Sequence, residues 1–135
     1  ARCVTEFIDM VTVLLVDDSK LARIVAGKTI AALYPDWTRI EASNADEALD
    51  LIKAHAVDVA VLDFNMPGMD GLELAGELRA AYPHMPIAII TANVQNEIIA
   101  RARELNATFV GKPVTEDAIR GFLSGAALRL RQASA

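Results

Sequence analysis

Residues 57–63 read Val57-Asp58-Val59-Ala60-Val61-Leu62-Asp63, a run that is apolar almost throughout and ends in an acid. A short β-branched run of this kind is typical of a central parallel strand that helices cover on both faces. We therefore predict a buried strand at this point. Asp63 then stands at its carboxyl end.

Similar short runs recur along the chain at intervals of roughly 20 to 30 residues, as expected when strands alternate with crossover helices. We predict strands over residues 12–17, 39–42, 57–63, 87–91 and 108–111. Five successive strand-helix units predict an α/β fold, a doubly wound parallel sheet with right-handed crossovers.

The helices have their own start signals. Ser19 is predicted to cap the first helix, with its buried face formed by Leu21, Val25, Thr29 and Ala32. Asn44, followed by Glu47, resembles a capping box for the second helix. The other three are predicted over about 71–81, over about 95–105 and from near residue 115.

Composition limits both the size and the class of the protein. The 135 residues carry a net charge of -5 and are 53% hydrophobic, which suits one compact domain. We expect a domain over 11–131, an N-terminal extension at 1–10 and a C-terminal tail at 132–135. The acidic balance opposes direct nucleic-acid binding, because that binding requires a basic field.

Membrane insertion and secretion are not expected from this sequence. The apolar stretch 11–16 is too short to span a bilayer, and it follows Glu6 and Asp9, unlike a signal peptide. The single Cys3 cannot form an internal disulfide. We therefore predict a cytoplasmic location.

Polar residues collect where the predicted strands end, which is the edge at which doubly wound sheets bind ligands. These residues are Asp17, Asp18, Asp63, Thr91 and Lys112, the last followed by Pro113. Three neighbouring carboxylates repel each other unless a proton or a cation neutralises them. An all-oxygen site favours Mg²⁺, and a half-open metal site suits phosphoryl transfer.

Four segments together closely resemble the receiver domain of bacterial two-component response regulators. They are Val16-Asp17-Asp18-Ser19, Asp63-Phe-Asn-Met-Pro-Gly-Met-Asp-Gly71, Ile90-Thr91-Ala92 and Gly111-Lys112-Pro113. The resemblance spans about residues 11–130 and implies a flavodoxin-like fold, with five helices around a five-stranded sheet of order 2-1-3-4-5.

The resemblance also implies a role for each site residue. Asp63 would be the phosphoacceptor, acting with Thr91 and Lys112 as the catalytic group. Mg²⁺, for which Mn²⁺ could substitute, would be bound by Asp17, Asp18, Asp63 and the backbone carbonyl of Asn65. The switch residues would be Thr91 and Phe109, and the peptide bond before Pro113 would be cis.

The function implied is a phosphorylation-driven switch. A sensor histidine kinase or a histidine phosphotransfer protein would phosphorylate Asp63, and a face built from helix four, strand five and helix five would then bind a different, unknown output partner. The chain would not be a turnover enzyme, apart from Mg²⁺-dependent self-phosphorylation from a phosphodonor and self-dephosphorylation. Nucleic acid and membrane are not expected as direct partners.

Several alternatives stay open at this point. A lone Asp63 or Thr91 is an ordinary turn former or helix cap, and Phe109 is an ordinary core aromatic. A phosphohydrolase of the haloacid dehalogenase kind also uses an Asp after a strand, but such enzymes carry a second Asp where this chain has Asn65. The chain can also be part of a larger protein, or a receiver that acts unphosphorylated.

Overall fold

A single parallel sheet of five strands forms the centre of the chain, in a computed structural model that describes residues 11–92 and 95–134. The strand order is β2-β1-β3-β4-β5, and every pair of neighbours is parallel. This confirms the predicted doubly wound fold. Residues 1–10, which were expected to be an extension, lie outside the described residues.

Strands and helices alternate strictly along the chain. The strands are β1 (Thr12–Val16), β2 (Thr38–Ala42), β3 (Val59–Asp63), β4 (Ile87–Thr91) and β5 (Thr108–Gly111). The helices are α1 (Lys20–Leu33), α2 (Ala45–Ala54), α3 (Gly71–Ala81), α4 (Asn96–Glu104) and α5 (Glu116–Ser134). Helix α5 therefore continues through residues 132–134, which were expected to be part of a tail.

Strand β3 is buried along its whole length, as its apolar sequence predicts. Its side chains alternate between two hydrophobic clusters, with Val59 and Val61 on the face covered by α1 and α5, and Ala60 and Leu62 on the face covered by α2, α3 and α4. Two apolar faces therefore hold the strand in the middle of three layers, and its last residue, Asp63, opens onto the sheet edge.

Side-chain caps set the starts of four helices, and three of these are α1, α2 and α3. Ser19 Oγ accepts a hydrogen bond from the Ala22 amide, and Asn44 Oδ1 accepts one from the Glu47 amide. The full reciprocal capping box occurs at α3, where Asp70 and Glu73 each bind the other's backbone amide. That box begins α3 directly after the loop that follows Asp63.

The buried face of α1 differs from the prediction. Gly27 and Ile30 face the core, whereas Leu21 and Val25 are 71% and 57% exposed. The α1 sequence carries apolar residues on more than one side, so its spacing fits two faces. Packing selects the face with Gly27, where an added Cβ would come within 4.0 Å of Leu15.

Arg79, near the end of α3, ties two helix ends together. Its guanidinium donates hydrogen bonds to five backbone carbonyls, those of Tyr82, Pro83, Met85, Leu105 and Asn106. Burial, and then the nearby Arg129, lower its pKa. The contacts fix the C-terminal end of α4 to the loop that leads into β4.

Gly71 permits a close approach beside Asp63. Its amide donates to the Phe64 carbonyl at 3.1 Å, and an added Cβ would lie 2.4 Å from the Asp63 carbonyl oxygen. No side chain fits at that distance without a backbone shift. The turn after β3 therefore requires glycine here, because the chain folds back onto the strand end.

We predict opposite effects for two alanine substitutions in the same helix. Gly71→Ala should lower the free energy of unfolding by about 1 to 3 kcal/mol, because the methyl group meets backbone atoms. Gly76→Ala, where nothing lies within 4 Å of the added Cβ, should raise it by about 0.5 to 1 kcal/mol through helix propensity. Urea unfolding measures both, and equal stability of the two variants would contradict the close approach.

Candidate functional site

The predicted polar residues meet at one edge of the sheet. Asp17 and Asp18 follow β1, Asp63 ends β3, Thr91 ends β4 and Lys112 follows β5. All strands are parallel and adjacent, so their carboxyl ends lie side by side. The Lys112 amide also donates to the Thr91 carbonyl at 3.0 Å, which continues the β4–β5 pairing to the site.

Three carboxylates form the centre of this site. One oxygen from each of Asp17, Asp18 and Asp63 lies within 4.8 Å of the other two. Asp63 is buried, Asp17 half-buried and Asp18 exposed, so the cluster runs from the sheet edge out to solvent. Its oxygens are the donor type that hard divalent cations prefer, and the residues present fit such an ion.

Asp63 is the most enclosed of the three. Its side chain is 3% exposed, and Lys112 Nζ lies 3.0 Å from Oδ1. The ammonium is off the direction of a hydrogen bond, so that buried oxygen has an ionic contact but no hydrogen-bond donor within the described part of the chain. An oxygen in this state keeps a position for a further ligand.

Asp17 is held on several sides. Its amide donates to the Ala42 carbonyl at 3.1 Å, and its Oδ1 accepts from the Ser19 amide at 2.9 Å. Burial raises the pKa of Asp17, and repulsion from Asp63 adds to that rise. The Ser19 amide opposes it, as does the charge of Lys112. The charged form of Asp17 is therefore less favourable in the folded protein than in the unfolded chain.

The remaining predicted residues occupy different places. Thr91 is fully buried at the end of β4, and Asn65 is exposed beside the acidic cluster. The Lys112–Pro113 peptide is cis, the geometry that the resemblance implies. Phe109 lies apart from the cluster, half-buried over a 280 Å³ cavity between α4 and β5.

A cleft of about 810 Å³ connects the acidic cluster with an apolar surface. Its floor includes Val61, Ile90 and Ile119 from the core. Its rim includes Leu21 and Val25 of α1 and Val114 of the β5–α5 loop, all exposed.

Sequence analysis did not identify two features of this site. The rim was missed because Leu21 and Val25 were expected to be buried. Arg23 donates from Nη1 to the Asp17 carbonyl at 2.5 Å and was also missed, because it belongs to none of the quoted motifs. The one feature of the sequence that points to Arg23 is a positive charge on the helix that follows Asp17 and Asp18.

Comparison with known proteins identifies the family. The profile of the response regulator receiver domain matches residues 13–124. The chain belongs to this family. The receiver is 30% identical over 109 residues to sporulation initiation phosphotransferase F of Bacillus subtilis, which covers 80% of this chain and 86% of that protein.

Solved structures agree with the fold. The chemotaxis protein CheY4 of Vibrio cholerae superposes with a TM-score of 0.78 at 28% identity, over 87% of this chain and 98% of that one. A signal receiver domain from Pseudomonas fluorescens Pf-5 gives a TM-score of 0.83 at 23% identity, over 93% of each chain.

Other relatives are much longer than this chain. A cyclic di-GMP phosphodiesterase of Thermotoga maritima is 33% identical over 110 residues, which are 81% of this receiver but 29% of that protein. The same family unit is thus found in proteins with different further parts. No helix in residues 11–92 and 95–134 has the length and apolar character to cross a membrane.

We predict that the charge of the acidic cluster and a bound divalent cation have opposite effects on the free energy of unfolding. Without divalent cations, Asp17→Asn should raise the free energy of unfolding at pH 7, because it removes one of three like charges and leaves an acceptor for Ser19. Mg²⁺ at ten times its dissociation constant should stabilise the native receiver by about 1.4 kcal/mol, and the variant less.

The raised pKa of Asp17 makes the stability of the metal-free protein depend on pH. The folded state binds the Asp17 proton more tightly than the unfolded chain, so metal-free stability should fall as pH rises above 3.8 through the raised pKa. In Asp17→Asn, stability should no longer decrease in this way as pH rises. In Asp36→Asn, which changes an exposed acid in a loop, the decrease should remain. Thermal unfolding at several pH values measures the difference, and identical profiles for both variants would refute it.

Proposed function

We propose that this receiver accepts a phosphoryl group on Asp63 from the phosphohistidine of a sensor histidine kinase or a histidine phosphotransfer protein. The observation that carries the proposal is the buried Asp63 carboxylate, which lies among two further acids and 3.0 Å from Lys112 Nζ. Relatives named as a sensor histidine kinase and as a phosphotransferase support this kind of donor.

The proposed transfer uses a carboxylate as nucleophile. An Asp63 oxygen attacks the phosphorus, the phosphorus–nitrogen bond breaks and the imidazole nitrogen leaves with the electron pair. The Lys112 ammonium then pairs with phosphoryl oxygens, and the Thr91 hydroxyl donates to another. In hydrolysis, water attacks the phosphorus and the acyl phosphate bond breaks, which restores Asp63 and releases inorganic phosphate.

Asp17, Asp18 and Asp63 would hold Mg²⁺ or Mn²⁺, and the Asn65 backbone carbonyl would supply a further ligand. Such an ion, when bound, neutralises charge that develops on phosphoryl oxygens. The three acids support this assignment, since their repulsion falls when a cation is present.

A switch of partner, rather than turnover of a small substrate, suits this site best. Phosphohydrolases of the alternative class carry a second acid two residues after the nucleophile, and Asn65 has no proton to give in that role. In this proposal, an output partner recognises the phosphorylated receiver. We keep the cytoplasmic location as a prediction that accompanies a kinase donor.

The proposed output surface is the α4–β5–α5 face. Phe109 is half-buried there over a cavity lined by Ile99, Ala102 and Arg103 among others, which leaves space for its ring to repack. Lys112 follows the same strand directly, so a movement of Lys112 toward a phosphoryl group acts on β5. This link supports a two-state change of that face, for an output partner of unknown identity.

The donor would dock on the apolar rim of the cleft. Leu21, Val25 and Val114 are 71%, 57% and 41% exposed, although they are large and apolar. They line the same cleft as Asp63, so a protein that delivers a phosphoryl group to Asp63 must cover them. Burial of these side chains would stabilise the encounter.

Phosphorylation of Asp63 has a direct test. Acetyl phosphate with Mg²⁺ should add one phosphoryl group to the native receiver and none to Asp63→Asn, as measured by intact mass. Asp58→Asn is the matched control. Asp58 is also partly buried, it accepts a hydrogen bond from the Thr12 amide, and burial raises its pKa. Labelling of Asp63→Asn would show that another residue is the acceptor.

The docking surface is tested by separating protein donors from small ones. Leu21→Ala with Val25→Ala should slow transfer from a phosphorylated donor protein about tenfold at limiting donor, because exposed contacts worth about 1.4 kcal/mol are lost. Labelling by acetyl phosphate should stay unchanged. Leu128→Ala, at an exposed leucine outside the cleft, is the control and should transfer normally. A slower reaction with acetyl phosphate as well would argue against docking.

A further inference from the structure

Arg23 joins three elements at the base of the acidic site. From α1, its Nη1 donates to the Asp17 carbonyl at 2.5 Å, and its Nε donates to Glu41 Oε1 on β2 at 3.0 Å. The Arg23 side chain is 15% exposed, whereas the side chain of its partner Glu41 is 47% exposed. A partly buried, two-partner contact of this kind is more specific than a surface ion pair.

The contact with the Asp17 carbonyl acts on Asp18 as well. A peptide group is planar, so the Asp17 carbonyl oxygen and the Asp18 amide and Cα lie in one plane. A hydrogen bond that fixes the oxygen therefore fixes the direction in which Asp18 leaves the strand. The Asp17 amide is already fixed by Ala42, so Arg23 supplies the second constraint on this turn.

Glu41 makes this arrangement compatible with a cation nearby. An unpaired guanidinium beside the acidic cluster would repel a divalent ion, and the Glu41 carboxylate balances that charge. The planar guanidinium binds both partners at once from different nitrogens, which a single ammonium does less well. The Arg23–Glu41 pair thus holds the Asp17 carbonyl and does not compete with the metal for the carboxylates.

We infer that Arg23 is a positioning residue for the metal site, which orients the Asp17–Asp18 peptide so that both carboxylates face one divalent cation. The inference rests on the proposed function, in which these acids hold Mg²⁺. Arg23 itself touches neither the metal nor the phosphoryl group.

The test is the Mg²⁺ dissociation constant of the full chain, measured by titration of amide resonances. Arg23→Met keeps much of the apolar stem and removes both hydrogen bonds, and it should raise the dissociation constant about tenfold or more. Arg23→Lys keeps the charge and should also weaken binding. Arg39→Met is the matched control, because Arg39 lies along α1 at Gly27 and makes no hydrogen bond to Asp17 within the described chain. It should bind Mg²⁺ as the native receiver does.

A second readout separates positioning from a general structural role. At saturating Mg²⁺, labelling of Arg23→Met by acetyl phosphate should return toward the native rate, because the metal then restores the arrangement. A structural role alone would lower the unfolding temperature equally with and without Mg²⁺ and leave the dissociation constant unchanged. If Arg23→Met fails to fold, Arg23→Lys gives the same comparison.

The outcomes distinguish this inference from the proposed function. Native binding of Mg²⁺ together with a dissociation constant for Arg23→Met within about twofold of native would overturn the positioning role alone. A native receiver that binds no Mg²⁺ would overturn both. Weakened binding in the two Arg23 variants, with native binding in Arg39→Met, would establish the role of Arg23.

Discussion

Repulsion among three carboxylates at one sheet edge is the constraint around which this protein is arranged. Asp17, Asp18 and Asp63 lie with oxygens within 4.8 Å of each other, and burial raises the pKa of Asp17. Lys112 contacts Asp63 on one side of the cluster. On the other side, the Ser19 amide donates to the Asp17 carboxylate and the Arg23 guanidinium donates to the Asp17 carbonyl. The donor atoms of these three acids are of the type that could hold a metal ion.

The packed sheet and the turn after β3 hold the site residues in place. Strand β3 lies between two apolar layers, and Gly71 lets the following loop return onto the strand end. The capping box of Asp70 and Glu73 then begins α3 at once. Asp63 is therefore held at the end of a strand that is buried along its whole length.

The elements that lie beside β3 and its Asp63 differ in how firmly they are held. Arg79 binds the carbonyls at the C-terminal end of α4, whereas Phe109 of β5 lies half-buried over a 280 Å³ cavity. The N-terminal end of α4 also lies on the side of the sheet where Thr91 ends β4. Open space beside Phe109, next to a helix whose C-terminal end is held by Arg79, fits the proposed change of the α4–β5–α5 face.

The sequence alone determined the order of strands and helices, the central strand and the residues that meet at its edge. Those features follow from local patterns: a doubly apolar strand, capping residues, and acids placed directly after strands. Mg²⁺ was predicted from the all-oxygen donor set as well as from the family resemblance, whereas the phosphoryl donor and the switch roles of Thr91 and Phe109 came from the resemblance. All of these remain proposals. Only the tertiary structure decided which side of α1 is buried, because its apolar residues fit two helical faces and burial of Gly27 and Ile30 against the core selects one. It also decided the placement of Arg23, since a contact between α1, β2 and the Asp17 carbonyl joins residues whose spacing in the sequence carries no periodic signal.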